Sequence, residues 1–246
     1  MSVKLVIFDM DGVVIDSEKV YFRSNQLAAE ELGIKGFTME YYRQFVGAGT
    51  EHMIEKMTED YGDRDLVERF IRLSMDKVYP VVEAGELELR PGFTELSAYL
   101  RESGIPFTLA SSNYRKDILY YLDKVGVRDD FKRIVSADDV VEAKPAPDIF
   151  NTAWEISGSP AKDEALIIED SHNGILAANN AGIPVIMVPD VIPAGEFERE
   201  HTVAVLDDLV CVKNYIEKER VSAPREIPPA PDTSSARRPC RWSCHR

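Results

Sequence analysis

Two acids separated by one residue, Asp9 and Asp11, directly follow a short apolar run. In an extended chain, residues two apart point to the same side, with Cα atoms about 6–7 Å apart. Two carboxylates at that spacing can flank one small electrophile, so that one attacks it while the other transfers protons. The same spacing at Asp63 and Asp65 is typical of an exposed helix start. The buried strand predicted before Asp9, and the sharp turn that Gly12 permits, favour chemistry at the first pair.

Groups that could hold a phosphate occur at two later positions. Ser111, Ser112 and Asn113 end another apolar run, and their hydroxyl and backbone N–H groups suit either a phosphate or a helix N-cap. Lys144 precedes Pro145 at the predicted entry to a helix. Its ammonium could neutralise both a nucleophilic carboxylate and a substrate phosphate, although alone it is also typical of a surface lysine.

A second pair of acids, Glu169 and Asp170, follows the apolar run 166–168. Two adjacent acids after a buried strand are costly unless a partner neutralises them. A hard divalent cation with oxygen ligands is a suitable partner, and Mg²⁺ is usual beside phosphate. The sequence therefore predicts a magnesium site here.

Short apolar runs alternate with helical patterns, which predicts an α/β fold with a Rossmann-like parallel sheet and helices on both faces. Strands are predicted at 5–8, 107–110, 134–135, 166–168 and 185–188. Each group of polar residues described above, apart from Lys144, lies at the carboxyl end of one of these strands. Open α/β sheets place their active sites at that edge.

One stretch, residues 17–83, contains helical spacing and no convincing strand. It is predicted to form a small all-helical cap domain inserted after the first strand, with Thr38 and Thr50 as helix N-caps. Residues 1–16 and 84–220 would form the core domain. Because the ends of the insert meet if the first two strands are neighbours, the cap could hinge as a lid.

The last segment, residues 221–246, holds five of the 14 prolines and little apolar material. Such a composition cannot bury enough surface to fold, so this tail is expected to be disordered. Cys240, Cys244 and His245 could bind a soft metal, but two thiols and one imidazole are a weak signal.

The bulk composition limits the partners of the chain. A formal net charge of −14 argues against nucleic acid, which requires a basic surface. No apolar run approaches the roughly 20 residues of a membrane span. The N-terminus does not resemble a secretory signal, so a cytoplasmic protein is expected, as a monomer or weak dimer.

Together the polar groups resemble the four motifs of the haloacid dehalogenase-like hydrolases that carry a helical cap. The matching stretches lie between about residues 4 and 190 and comprise 8–18, 109–113, 143–150 and 168–175, followed by Ala177-Ala178 and Ala181-Gly182. The resemblance implies that Asp9 attacks phosphorus to form an aspartyl-phosphate and that Asp11 is the general acid and base. It also implies that Ser111 and Lys144 hold the transferring phosphoryl oxygens. The implied Mg²⁺ ligands are Asp9, Asp11 through its backbone carbonyl, Glu169 and Asp170.

The resemblance implies a phosphatase acting on a small phosphorylated metabolite, a sugar or polyol phosphate. Candidate substrate-binding residues are Ser112, Asn113, Glu18, Gly47, Thr50 and Arg115. A β-phosphoglucomutase-type mutase is the alternative. That type has a histidine in the hinge and an arginine after the cap glycine, where this chain has Tyr21 and Thr50. A non-catalytic binding module is disfavoured because no motif residue is missing.

Overall fold

The computed structural model describes residues 3–47 and 49–222. The six described strands form one parallel sheet in the order β3-β2-β1-β4-β5-β6. Their bounds are β1 Leu5–Phe8, β2 Phe107–Ala110, β3 Ile134–Val135, β4 Ala165–Glu169, β5 Val185–Met187 and β6 Ala204–Val205. The five predicted strands are present and the α/β prediction is confirmed. The short edge strand β6 had no prediction.

Ten α-helices surround the sheet or lie in the insert of the described chain. They are α1 Ser17–Leu32, α2 Met39–Arg43, α3 Thr50–Tyr61, α4 Arg64–Glu83, α5 Phe93–Glu102, α6 Arg115–Lys124, α7 Asp148–Ile156, α8 His172–Ala181, α9 Glu196–Glu200 and α10 Leu209–Ser222. Helix α10 includes the first two residues of the predicted tail. The rest of the tail, with Cys240, Cys244 and His245, lies outside the described residues.

The two faces of the sheet bury different apolar layers, because alternate residues of each strand point to opposite sides. On one face Phe8 packs edge-on against Phe93 and Phe107 at ring-centroid distances of 5.7 and 5.8 Å. On the other face Leu5 and Ile7 belong to a separate aliphatic cluster that α7 and α8 cover. Every residue of β1 is buried, so β1 is the rigid centre from which Asp9 emerges.

Helices α1 to α4 have their own apolar core, which includes Ala28, Met57 and Phe70. The N-cap prediction for Thr38 is confirmed, because its side chain accepts a hydrogen bond from the Tyr41 amide at 3.2 Å. The N-cap prediction for Thr50 is wrong by one residue. Gly49 is the N-cap of α3, at φ +85°, a conformation that glycine adopts without the strain a side chain would add.

Two backbone segments join the helical insert to the sheet, and they pair with each other. Ile15 forms an antiparallel bridge with Leu89, and the Asp16 amide donates to the Glu88 carbonyl at 2.9 Å. The helices span 17–83, as expected for the insert. The division into separate domains and the hinge motion remain predictions.

Candidate active site

The motif residues converge at the carboxyl edge of the sheet. Lys144 Nζ lies 2.5 Å from Asp9 Oδ1 and 2.6 Å from Glu169 Oε1. Asn113 Nδ2 donates to Asp11 Oδ2 at 2.7 Å. The register of the sheet explains this gathering, because Phe8 of β1 pairs with both Leu109 of β2 and Ile168 of β4. The residues that follow these strands therefore emerge side by side.

Asp9 is fixed to the sheet and nearly buried. Its amide donates to the Ile168 carbonyl at 3.0 Å, which extends the pairing of β1 with β4 by one residue. Its exposed fraction is 6%. Burial raises the pKa of Asp9, the charge of Lys144 opposes that rise, and the neighbouring acids Glu169 and Asp11 add to it. Further positive charge at this edge would favour the ionised form that a nucleophile requires.

Asp11 lies in a tight loop after the strand. The Val14 amide donates to the Met10 carbonyl at 2.8 Å, and the Gly12 amide donates to the Ile15 carbonyl at 2.9 Å. While Oδ2 accepts from Asn113, Oδ1 is buried and has no hydrogen-bond partner among the described residues. Burial raises the pKa of Asp11, whereas the neighbouring Ser17 hydroxyl, the charge of Lys144 and the Asn113 hydrogen bond oppose the rise. A buried carboxyl with a raised pKa is suited to general acid catalysis.

Lys144 is enclosed by three groups. Besides the two carboxylates, the ring of Phe150 lies with its centroid 4.7 Å from Nζ. Burial alone would lower the pKa of Lys144, but the charges of Asp9 and Glu169 and their hydrogen bonds raise it above its ordinary value. The raised pKa favours the charged ammonium beside the Asp9 carboxylate.

Ser111 is fully buried at the end of β2, where its amide donates to the Val135 carbonyl at 3.0 Å. Its Oγ accepts from the Asn113 amide at 3.2 Å, and no acceptor for its own proton is present in the described chain. The neighbouring Ser112 is exposed. Ser111 thus combines burial with a free donor close to Asn113.

The adjacent acids Glu169 and Asp170 have different environments. Both Glu169 oxygens accept hydrogen bonds from protein donors, whereas no hydrogen bond or ion pair to the Asp170 carboxylate is present in the described chain. A Cβ added to Gly12 would lie 2.2 Å from Asp170 Oδ2, so the absence of a side chain at Gly12 makes room for this carboxylate. Burial raises the pKa of Asp170 well above its ordinary value, and the charges of Glu169 and Asp9 add to the shift.

The carboxylate oxygens of this cluster are suitable ligands for a hard cation, and oxygens of the substrate would complete its coordination. Four carboxylates surround one ammonium, and the pKa values of Asp9, Asp11 and Asp170 are raised. Within residues 3–47 and 49–222, however, no three His, Cys, Asp or Glu side chains are arranged to hold a metal ion. Backbone carbonyl and phosphate oxygens would therefore have to complete the octahedral oxygen shell that Mg²⁺ requires.

One candidate cap residue, Glu18, lies near this cluster. It accepts a hydrogen bond of 2.6 Å from the Tyr42 hydroxyl. Burial raises the pKa of Glu18 to about 7, the Tyr42 hydrogen bond opposes the rise, and the charges of Asp190, Asp11 and Asp16 add to it. The contact between Tyr42 and Glu18 was not predicted. In the sequence, Tyr42 is one of several aromatic residues, and its spacing is that of a core position.

The other candidate substrate-binding residues, Arg115, Gly47 and Thr50, do not contact the polar cluster at the sheet edge in the described chain. Arg115 forms an ion pair with Asp139 at 2.6 Å and donates to the Ile134 carbonyl at 3.0 Å. It secures the start of α6 to the neighbouring edge of the sheet, which gives no support to a substrate-binding role. Gly47 and Thr50 are exposed, and no hydrogen bond joins either to the catalytic residues in the part of the chain that the structure describes.

Comparison with known proteins identifies the family. Residues 6–188 match the sequence profile of the haloacid dehalogenase-like hydrolases. The chain belongs to this family. The matching residues include all four motifs, and the expected fold and enzyme class are confirmed at the level of the family.

The relatives of this haloacid dehalogenase-like hydrolase carry phosphatase names. The "Probable pseudouridine-5'-phosphatase" of Drosophila melanogaster is 33% identical over 214 residues, which cover 84% of this chain and 90% of that protein. The "Phosphorylated carbohydrates phosphatase" of Thermotoga maritima is 31% identical over 180 residues, which cover 72% and 81%. These similarities confirm the expectation of a phosphatase acting on phosphorylated small molecules.

Two solved structures share the fold. A Thermotoga maritima protein described as a possible beta-phosphoglucomutase has a TM-score of 0.74 at 27% identity and covers 89% of this chain and 99% of its own. CbbY from Rhodobacter sphaeroides, solved in complex with phosphate, has a TM-score of 0.65 at 25% identity and covers 84% and 95%. None of the helices in the described residues is long and apolar enough to cross a bilayer. The cytoplasmic location and the oligomeric state remain predictions.

Proposed function

We propose that this hydrolase is a Mg²⁺-dependent phosphatase of small sugar or polyol phosphates, with Asp9 as its nucleophile. The observation that carries the proposal is the contact between the Lys144 ammonium and Asp9 Oδ1 at the end of β1. A carboxylate approaches an anionic phosphate ester only where fixed positive charge offsets their repulsion. On a chain of net charge −14, Lys144 supplies that charge locally.

In the first step Asp9 attacks phosphorus, and its carboxylate oxygen forms a bond to it as the ester oxygen leaves. Asp11 donates its proton to the leaving oxygen, so the product is a neutral alcohol. Because Asn113 occupies Oδ2 of Asp11, the unpartnered Oδ1 is the atom assigned to this proton. Lys144 and the free Ser111 hydroxyl stabilise the equatorial phosphoryl oxygens.

In the second step water attacks the phosphorus of the aspartyl-phosphate. Asp11, now ionised, accepts a proton from that water, and the Asp9 carboxylate leaves with both electrons of its bond to phosphorus. Inorganic phosphate is released and both acids regain their starting states. The same oxygen of Asp11 thus donates a proton in one step and accepts one in the next.

Mg²⁺ would be held by Asp9, Glu169, Asp170 and the backbone carbonyl of Asp11, together with a substrate oxygen. When bound, it neutralises charge on the transferring phosphoryl group. The raised pKa values of Asp9 and Asp170 support this assignment, because burial and the neighbouring acids outweigh the single positive charge of Lys144.

The cap would choose the substrate, and the hydrogen-bonded pair of Glu18 and Tyr42 is its candidate polar group, because the charge of Asp11 acts on Glu18. The relatives named as a phosphatase of phosphorylated carbohydrates and a (DL)-glycerol-3-phosphatase support a small hydroxylated leaving group. The test is phosphate release by the purified full chain across sugar phosphates, glycerol 3-phosphate, pseudouridine 5'-phosphate and an aryl phosphate. We expect release that requires Mg²⁺ and stops on chelation. Activity unaffected by chelation, or none on any ester, would contradict the proposal.

A phosphosugar mutase is the second candidate, because the Thermotoga structure of that description shares the fold. A mutase must keep water from the aspartyl-phosphate while a bisphosphate turns over. Here Tyr21 is half-buried on helix α1, and Thr50 is exposed without a hydrogen bond to the polar cluster at the sheet edge in the described chain. We therefore expect free phosphate to exceed glucose 6-phosphate when β-glucose 1-phosphate, a trace of glucose bisphosphate and Mg²⁺ are supplied. The reverse ratio would identify a mutase.

A further inference from the structure

Asp190 is a buried acid at the active edge of the sheet that the two proposed steps do not use. The exposed fraction of its side chain is 8%. The Val188 amide donates to the Glu169 carbonyl at 2.8 Å, so the chain stays alongside β4 after β5 ends. Asp190 follows two residues later, and it therefore lies at the same carboxyl edge as the catalytic cluster.

Arg90 fixes the position of Asp190. Its Nη1 donates to Asp190 Oδ1 at 2.7 Å, and its Nη2 donates to the Pro189 carbonyl at 3.2 Å. The Arg90 amide donates to the Val14 carbonyl at 2.9 Å, and Val14 belongs to the loop that carries Asp11. The arginine thus joins Asp190 to the loop of the proposed proton donor.

The second carboxylate oxygen of Asp190 lacks a partner. Oδ2 is buried and accepts no hydrogen bond within the described residues. An unsatisfied buried acceptor costs about 1–3 kcal/mol, and a ligand hydroxyl that reached Oδ2 would recover that cost. This oxygen therefore points to a donor that a bound ligand supplies.

The cap contributes a second acid to the same region. Glu18 accepts a hydrogen bond of 2.6 Å from the Tyr42 hydroxyl. Burial raises the pKa of Glu18 to about 7 and that of Asp170 well above its ordinary value, and the charge of Asp190 adds to both shifts. The charge of Asp11 also acts on Glu18. A leaving group whose oxygen is next to Asp11 would therefore extend toward Glu18 and Asp190.

We propose that Asp190 is a specificity-determining residue, which together with Glu18 selects phosphate esters whose leaving group is uncharged and hydroxylated. Oδ2 of Asp190 accepts a hydrogen bond from a hydroxyl of that group. The two carboxylates repel a leaving group that carries a carboxylate or a second phosphate, because like charges brought together at a binding site are disfavoured. Arg90 does not offset this repulsion, since its guanidinium is already bonded to Asp190. The inference rests on the proposed function, which places the leaving group beside Asp11.

The test compares two esters that differ in one group. Glycerol 3-phosphate ends in a CH₂OH group where 3-phosphoglycerate has a carboxylate. We expect kcat/KM of the wild-type chain with Mg²⁺ to be at least about 10-fold higher for glycerol 3-phosphate. A wild-type chain that uses the two esters equally, or prefers 3-phosphoglycerate, would overturn the proposal.

Asp190→Asn tests the residue itself. The amide oxygen can still accept from Arg90, and the NH₂ group that replaces Oδ2 can donate to a carboxylate. We expect the preference for glycerol 3-phosphate to fall at least about 3-fold, mainly through a gain on 3-phosphoglycerate. A merely structural role would lower kcat/KM for both esters by the same factor and leave their ratio unchanged.

Asp163→Asn is the matched control. Asp163 is exposed and directly precedes β4, so it lies at the amino edge of the sheet, opposite the catalytic cluster. This variant removes the same charge from the chain and should leave the ratio of the two kcat/KM values unchanged. An equal change of the ratio in Asp163→Asn and Asp190→Asn would make net charge, and not Asp190, the cause.

Glu18→Gln keeps the proposal testable if Asp190→Asn does not fold, because it leaves the ion pair between Arg90 and Asp190 intact. We expect the preference to fall at least about 2-fold in this variant. An unchanged ratio in every variant that folds would overturn the proposal. If the wild-type chain hydrolyses neither ester, the proposed function fails. Calorimetric titration of the two esters then still decides the preference, and equal affinities would overturn the role of Asp190.

Discussion

The polar residues at the sheet edge are mostly buried and paired with one another, whereas most candidate polar residues of the helical cap are exposed. At the edge, Asp9 and Glu169 are buried next to or at the end of apolar strands, and direct ion pairs join both carboxylates to Lys144. In the cap, Gly47 and Thr50 are exposed, whereas Glu18 accepts a hydrogen bond from Tyr42 and lies within the electrostatic influence of Asp11. The proposed chemistry is therefore built on elements of the sheet, whereas the proposed substrate contacts lie in the helical insert, where fewer bonds join the candidate residues.

The largest expected effect is at the sheet edge. Asp9→Asn should lower turnover by about 10³-fold or more with little change in Tm, because an amide cannot form the phosphoryl ester. Asp65→Asn is the matched control, since it alters an exposed Asp-x-Asp pair in the cap and should leave turnover unchanged. Steady-state kinetics and thermal melts provide the check, and near-normal phosphate release from the Asp9 variant would contradict the proposed nucleophile.

The next effect concerns Asp11, which lies between the two regions. Asp11→Asn should reduce turnover of alkyl phosphates about 10²-fold or more but affect aryl phosphates less, because a good leaving group needs less proton donation. The measurement is kcat/KM across a series of leaving groups. Equal losses along the series would rule out Asp11 as the proton donor.

Within the cap, Tyr42→Phe removes the hydroxyl that binds Glu18. We expect KM for the preferred ester to rise several-fold, with a smaller change in kcat, because the reacting groups stay in place. Tyr41→Phe is a control on the same helix, since the Tyr41 hydroxyl bonds instead to Asp60 at 2.8 Å. Equal kinetics for the two variants would remove Glu18 and Tyr42 from the substrate site.

The acidity of Glu18 gives a pH-dependent prediction. Its pKa rises from an ordinary 4.5 to about 7 on folding, so the folded state favours the protonated carboxyl. The stability associated with that proton is present below about pH 4.5 and is lost as the pH rises through 7. Glu18→Gln should therefore raise Tm by a few degrees at pH 8 and leave it unchanged near pH 4.5. A Tm increase that is the same at both pH values would contradict the shift.

The smallest effect tests how cap helices begin. Thr38→Ala should reduce the free energy of unfolding by about 1 kcal/mol, because it removes the side-chain bond to the Tyr41 amide. Thr50→Ala should change it by less than about 0.5 kcal/mol, since Gly49 and not Thr50 is the cap. Chemical denaturation of both variants measures the difference, and a larger loss for Thr50→Ala would contradict the observed cap.

The sheet could be predicted because continuous apolar runs such as Leu5–Phe8 indicate buried parallel strands, and acids after such runs mark the active edge. The hydrogen-bond partners of the polar side chains could not be predicted in the same way. Glu169 and Asp170 cannot be told apart in the sequence, and only the fold shows that Glu169 accepts hydrogen bonds from Lys144, Asp170 and Ser171. Tyr42 and Arg115 show the same limit, since their bonds to Glu18 and Asp139 join residues more than 20 positions apart.

The two segments that join the insert to the sheet pair at Ile15 and Leu89. This pairing determines which of the two acids, Asp9 or Asp11, is connected to the cap. Asp9 is fastened to β4 through Ile168, whereas Asp11 lies in the loop that leads directly into this two-stranded ribbon. Under the proposed roles, bending of the ribbon would move Asp11, the proton donor, while Asp9 stays fastened to β4. A change in the angle of the cap would then affect proton transfer to the leaving group more than it affects nucleophilic attack.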